Sequence, residues 1–266
     1  MFQSNSPAKN HSTGEMPMSL KRILLSLMGL AGVFASGAAL AFNVIDHDQV
    51  QPIYTGASAL EMYYQPLLYV TDQGCVPYPA VDSAGDVSGG LAASGSPNGG
   101  CTSSVGQVYS RYTTYANMCA IMYSWFMPKD MPPSGIGGHR YEWEGIIVWL
   151  QGCYVGAPIV SINYSEHGSW SVNKSPPTWV GTTGYASYGV HPLVVYHAPD
   201  YFLDHHPDPT YTVGGTQPLV GWSNLPAPAL DAIDNFNFGA ATPPLNDTTF
   251  QGNLNAGNTS TLIHNP

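Results

Sequence analysis

Hydrophobic residues in this chain fall into short runs broken by Gly, Pro and Asn, not into long amphipathic stretches. Cys119–Met127 (CAIMYSWFM) is apolar and aromatic, and Pro128, which offers no N–H, is expected to end it. Ile146–Leu150 (IIVWL) is an unbroken, mostly β-branched run of the kind a strand buried on both faces requires. Ile159–Tyr164 alternates loosely, and Leu193–His197 (LVVYH) is a further short run. Helical patterning is weak; Ala57–Leu68 and Leu230–Phe236 are its best segments. Residues 83–106 are low in complexity and read as loop. Short strands with this punctuation predict a mainly β fold, an antiparallel β-sandwich with a few flanking helices. No repeat or charged linker divides residues 42–266, which read as a single domain.

The first apolar run is of another kind. Lys21 and Arg22 precede Ile23–Leu40, a stretch softened by Gly29, Gly32, Ser36 and Gly37 and ending in Ala39-Leu40-Ala41. A positive n-region, an apolar centre and an A-x-A end describe a signal peptide, so residues 1–41 read as a leader cleaved after Ala41, with Met18 as a candidate start. The expected product is a secreted, extracellular protein.

Charge narrows the function. Only 9% of the 266 residues are charged, with 7 Lys+Arg against 17 Asp+Glu, while aromatics reach 12%. Aromatics at that level argue against disorder. The acidic balance excludes a nucleic-acid binder that works by neutralising phosphates. Beyond the leader the basic residues are Arg111, Lys129, Arg140 and Lys174, too few for polybasic attraction to anionic lipid. A membrane target would have to be recognised through a headgroup or a bridging metal.

Four cysteines, Cys75, Cys101, Cys119 and Cys153, read as two disulfides in an exported chain. Cys75 and Cys101 bracket a Gly/Ser/Pro-rich loop and are expected to pair; that bridge would contribute roughly 3 kcal/mol in the chain-entropy model. Cys119 and Cys153 each border an apolar run that adjacent strands could bring together. No Cys-x2-Cys pair points to zinc.

Ionisable residues concentrate at 130–144, DMPPSGIGGHRYEWE. If 141–144 is extended, Glu142 and Glu144 share one face and Tyr141 and Trp143 the other. Two carboxylates on one face repel unless compensated. Lys129 and Arg140 are the nearby cations, and a divalent ion is the stronger solution. Carboxylate oxygens suit Mg²⁺ or Ca²⁺. Asp130, across the loop, supplies a third carboxylate, and His139 a ligand or the orienter of a metal-bound water. Other clusters are weaker. Asp46-His47-Asp48 has ligand types for Ca²⁺. Asp204-His205-His206-Pro207-Asp208 also has ligand types, but adjacent histidines on a Pro-rich stretch are expected to be solvated. His167, His191 and His197 read as structural. No G-x-S-x-G elbow, P-loop or HExxH occurs. Sequons stand at Asn163, Asn173, Asn246 and Asn258.

Ala120–Asp130 (AIMYSWFMPKD) followed by Gly138–Glu144 (GHRYEWE) resembles the signature of the necrosis- and ethylene-inducing peptide-like proteins. Gly74–Cys101 is similar to the family's first disulfide loop and Gly106–Arg111 to the strand after it. Thr212–Pro226 and Phe238–Phe250 are similar to its C-terminal part, so the resemblance runs from about Val44 to Leu254. It implies a fold similar to actinoporin-type cytolysins and a non-enzymatic protein that binds plant plasma-membrane glycosylinositol phosphorylceramide headgroups and permeabilises the membrane. It implies a divalent cation, Mg²⁺ or Ca²⁺, held by Asp130, His139, Glu142 and Glu144, with His167 lining the same cavity. It also implies a plant immune receptor for the 120–144 segment, a monomer in solution, and a second disulfide of the four-cysteine members, supporting Cys119–Cys153. The family heptapeptide reads G-H-R-H-D-W-E; here Tyr141 replaces its second His and Glu142 its Asp. The alternatives are a non-lytic binding protein or immune elicitor and, less favoured, a secreted metal-dependent hydrolase, since metal-bound carboxylates also activate water.

Overall fold

Residues 41–115, 117–172, 187–188, 190–200, 202 and 205–261 are described by the computed structural model. The leader through Leu40, Asn173 and Asp204 lie outside the described residues. In chain order the elements are β1 (Val44–Ile45), α1 (Ala59–Tyr63), β2 (Leu67–Val70), β3 (Val87–Ser88), β4 (Val108–Tyr115), β5 (Met118–Asp130) and β6 (His139–Leu150). There follow β7 (Ile159–Glu166), β8 (Ser169–Val172), β9 (Ser187–Tyr188), β10 (His191–His197), β11 (His206–Pro209), β12 (Leu219–Gly221), α2 (Ala227–Asn235) and α3 (Phe250–Thr261).

The strongest apolar run becomes the middle of the larger sheet, which has the order β12-β4-β5-β6-β7-β8. β5 is buried from Cys119 to Asp130 because both of its faces are covered. Tyr123 reaches α1 on one side, its hydroxyl donating to the Glu61 carbonyl at 2.6 Å. Phe126 packs on the other against Tyr141, Trp143 and Phe238. Pro128 does not end the strand. The β5–β6 ladder pairs Met127 with Glu142 and Lys129 with Arg140, so the missing N–H falls at the unpaired step between them. There Tyr141 adopts a φ of 64°.

The smaller sheet has β10 at its centre, parallel to β2 and antiparallel to β11. The two sheets make the expected sandwich, with β11 packed against β6 and β7. Three pairings, β1–β3, β2–β10 and β4–β12, are parallel. Each joins strands far apart in sequence, which a short hairpin cannot do. The first helical segment is mostly not helix. Ser58 and Glu61 form a capping box that starts α1, but the helix stops at Tyr63 and Leu67–Val70 is strand. The second segment forms the last part of α2, with Phe236 as its C-cap. α3 was not legible in the apolar pattern; it begins where the Asn246 side-chain oxygen accepts the Thr248 and Thr249 N–H groups. Cys75 is bonded to Cys101, and Cys119 to Cys153. Asn163 and Asn246 are 0% and 4% exposed, so neither can carry a glycan in the folded chain.

Burial also sets an alkaline limit. Tyr109, Tyr123 and Tyr164 have phenols pushed above their ordinary value of 10.0 by desolvation. Glu61 adds to the effect at Tyr123 and Asp208 at Tyr164. A raised folded pKa stabilises the fold fully below the unfolded pKa and loses that stabilisation as pH rises towards the folded value. Stability should therefore hold up to about pH 10 and then fall by up to about 1.4 kcal/mol per pH unit for each such tyrosine. Urea melts between neutral pH and pH 11 would read this; an unchanged midpoint would contradict it.

Candidate functional site

The β5–β6 hairpin builds the site through its register. Asp130 closes β5 directly opposite His139, which opens β6. Gly138 makes the return possible: its φ is +78°, and a Cβ there would lie 2.6 Å from the Asp130 carbonyl oxygen. We expect Gly138→Ala to cost about 1–3 kcal/mol of stability and to weaken divalent-cation binding, both measurable on one preparation by calorimetry.

Asp130, His139 and Glu142 each bring a ligand atom within 4.8 Å of the others. His139 Nδ1 lies 2.8 Å from the Tyr141 carbonyl, which only accepts, so Nδ1 carries a proton. In the neutral ring the Nε2 lone pair then faces Glu142 Oε2 at 3.4 Å. Glu142 folds back so that its other oxygen accepts the Trp143 N–H at 2.8 Å. Asp130 Oδ1 accepts from His205 Nδ1 at 2.6 Å, while Oδ2 is buried with no hydrogen-bond partner among the described residues. A carboxylate with an orphaned oxygen, a second carboxylate and an imidazole grouped this closely are the donor set of a divalent cation. The residues present fit such an ion.

The other predicted residues divide. Glu144 lines the same cavity, of about 480 Å³, but stands outside that group of three and accepts a hydrogen bond from Ser165 Oγ on β7. His167, at the β7–β8 turn with a φ of 49°, also lines the cavity. Tyr141 does not; its ring packs on Phe126, Phe236 and Phe238. Tyr at the family's His position is thus a packing choice, and Glu142 at the Asp position still reaches the trio. Asp46, His47 and Asp48 do not form a ligand group among the described residues; His47 Nε2 bonds the Gly100 carbonyl at 2.9 Å.

His205 and His206 are not solvated: they are 2% and 3% exposed. His205 spans the Asp130 carboxylate and the Gln73 carbonyl, 2.6 Å from each, and stacks on Tyr196. It orients Asp130 from a position 75 residues away in the sequence, immediately before β11. Distant segments bury it, Asp130 of β5, Tyr196 of β10 and the Gln73–Gly74 loop, so no local signal marked it. His191 and His197 are partnered, by the Gln65 carbonyl and by Asp208.

Residues 58–257 match the family model described as necrosis inducing protein (NPP1). The chain belongs to this family. It is 38% identical over 214 residues to NLP effector protein 2 of Phytophthora capsici, spanning 77% of this chain and 83% of that protein. It is 35% identical to the necrosis-inducing protein NPP1 of Phytophthora nicotianae, over 83% of this chain and 93% of that protein. Among solved structures, the non-toxic HaNLP3 protein superposes with a TM-score of 0.72 at 32% identity, covering 79% of this chain and 98% of that one. NLPPya in complex with mannosamine gives 0.71 at 36% identity, covering 80% and 98%. The fold is the toxin fold of this necrosis-inducing family, whose members are effector proteins and not enzymes. The hydrolase reading is set aside.

Proposed function

We propose that the protein is a secreted cytolysin that recognises plant plasma-membrane sphingolipid headgroups, the glycosylinositol phosphorylceramides, and permeabilises the membrane. Residues 1–41 would direct export and 42–266 would act as one domain, monomeric in solution. The observation that carries the reading is the grouping of Asp130, whose buried Oδ2 has no hydrogen-bond partner among the described residues, with His139 and Glu142, which line a cavity large enough for a sugar. Bound there, Mg²⁺ or Ca²⁺ would supply positive charge to sugar hydroxyls. His205 holds the Asp130 carboxylate in place, the Tyr141 carbonyl fixes the tautomer of His139, and Glu144 and His167 offer further polar contacts from the wall. NLPPya, 36% and 35% identical in its two amino-sugar complexes, binds mannosamine and glucosamine, which supports a glycosyl headgroup as the partner.

The test is dye leakage from vesicles containing the plant sphingolipid, with and without EDTA. Leakage that EDTA abolishes and Mg²⁺ or Ca²⁺ restores is the expected result. Folded protein that leaves these vesicles intact would overturn lysis in favour of the second reading, a non-lytic binding protein or elicitor. Similarity to the non-toxic HaNLP3 favours that alternative. A plant immune receptor for the 120–144 segment would meet a strand buried from Cys119 to Asp130, so its recognition would require release of that segment from the fold.

A further inference from the structure

We propose that the protein carries a second metal site, of the zinc class, on the opposite side of β11 from Asp130. His205 immediately precedes β11, which His206 opens, and successive side chains on an extended chain point to opposite sides. His205 faces Asp130. His206 faces a separate cluster. It stands directly across from His197 of β10, and Asp208, two residues on, shares its face. Asp208 Oδ2 lies 2.9 Å from His197 Nε2 and 3.3 Å from His206 Nε2. The three side chains have ligand atoms within 4.8 Å of one another.

His206 also belongs to a second group of the same dimensions, with Glu166 and His167 of the β7–β8 turn. Its ring is the common member, and its centroid lies 5.8 Å from that of His197 and 6.1 Å from that of His167. The side chain is 4% exposed; its Nε2 faces Asp208, and its buried Nδ1, on the other edge of the ring, has no hydrogen-bond partner among the described residues. A buried ring nitrogen without a partner is costly unless something binds it. Imidazoles with one or two carboxylates form the donor set that suits Zn²⁺, unlike the carboxylate-rich Asp130 site, whose oxygens suit hard cations. His197 and Asp208 are half-buried, so an ion has a way in. Binding at His206 would tie β10 and β11 to the turn that carries His167 on the cavity wall.

Zinc titration of the folded protein in a large excess of Mg²⁺, followed calorimetrically, tests this. The expected result is one equivalent of bound zinc that Mg²⁺ does not displace, with affinity reduced at least about tenfold by His197→Ala and by Asp208→Asn and unaffected by Glu142→Gln. Co²⁺ in place of zinc should give visible absorption in the wild type that His197→Ala removes. His197 and Asp208 are chosen because neither is fully buried, unlike His206. No zinc binding in Mg²⁺, affinity unchanged in His197→Ala, or affinity lost in Glu142→Gln instead would each overturn the second site. Headgroup recognition at the first site is read separately, by vesicle leakage.

Discussion

Glu142→Gln should abolish tight divalent-cation binding and, with it, membrane leakage. The substitution keeps the length and shape of the side chain and an oxygen to accept the Trp143 N–H, so the hairpin should fold unchanged. It removes one of the two formal charges that face the His139 ring within the trio. Losing an outer partner of a metal ligand costs about 10–100-fold in affinity, and losing a charged ligand itself should cost more. Calorimetric titration with Mg²⁺ and Ca²⁺ measures the first effect, and the protein concentration giving half-maximal leakage measures the second. Asp130→Asn should behave alike. Leakage at wild-type potency from either folded variant would remove the cation from the mechanism. His205→Gln provides a graded control: it touches Asp130 and not the trio's other members, so a smaller loss of cation affinity is expected.

Trp149→Ala should produce the largest loss of stability. Trp149 is fully buried on β6, its ring meets Tyr115 of β4 at 5.6 Å, and its Nε1 donates to Asn163 Oδ1 of β7. One side chain thereby joins three strands of the larger sheet. Truncating a buried Trp costs about 3–5 kcal/mol, and the lost hydrogen bond adds about 1 kcal/mol. The melting temperature should drop by roughly 10 °C, read by scanning calorimetry. Trp149→Phe, which keeps most of the volume and loses the bond, should fall between the two. Cation affinity per folded molecule should not change, because Trp149 lies outside the cavity lining. A melting temperature unmoved by Trp149→Ala would contradict this account of how the sheet is held.

Much of the site was legible because it is local. Asp130, His139 and Glu142 lie within 13 residues on one hairpin, and a two-residue repeat puts Glu142 and Glu144 on one face of it. The aromatic side of that hairpin was legible for the same reason. One local reading failed for a physical cause that lies across the sheet. Pro128 should have ended β5, yet the unpaired step opposite Tyr141 lets a residue without an N–H sit inside the strand. Glu144, the other carboxylate expected at the site, lines the same cavity as His139 and Glu142 and accepts a hydrogen bond from Ser165 of β7.

The sequence by itself determined the strand-rich class, the strong central strands, the hairpin that carries the acidic residues and the family to which they belong. These follow from side-chain alternation, turn residues and motif spacing, all of which act over a few positions. Tertiary structure alone decided the burial of His205 and His206, the orientation of Asp130 and the parallel pairing of β2 with β10. Each depends on strands that meet only after long loops close. The gain that drives such meetings is burial of surface shared between distant segments, and no pattern within either segment records its partner.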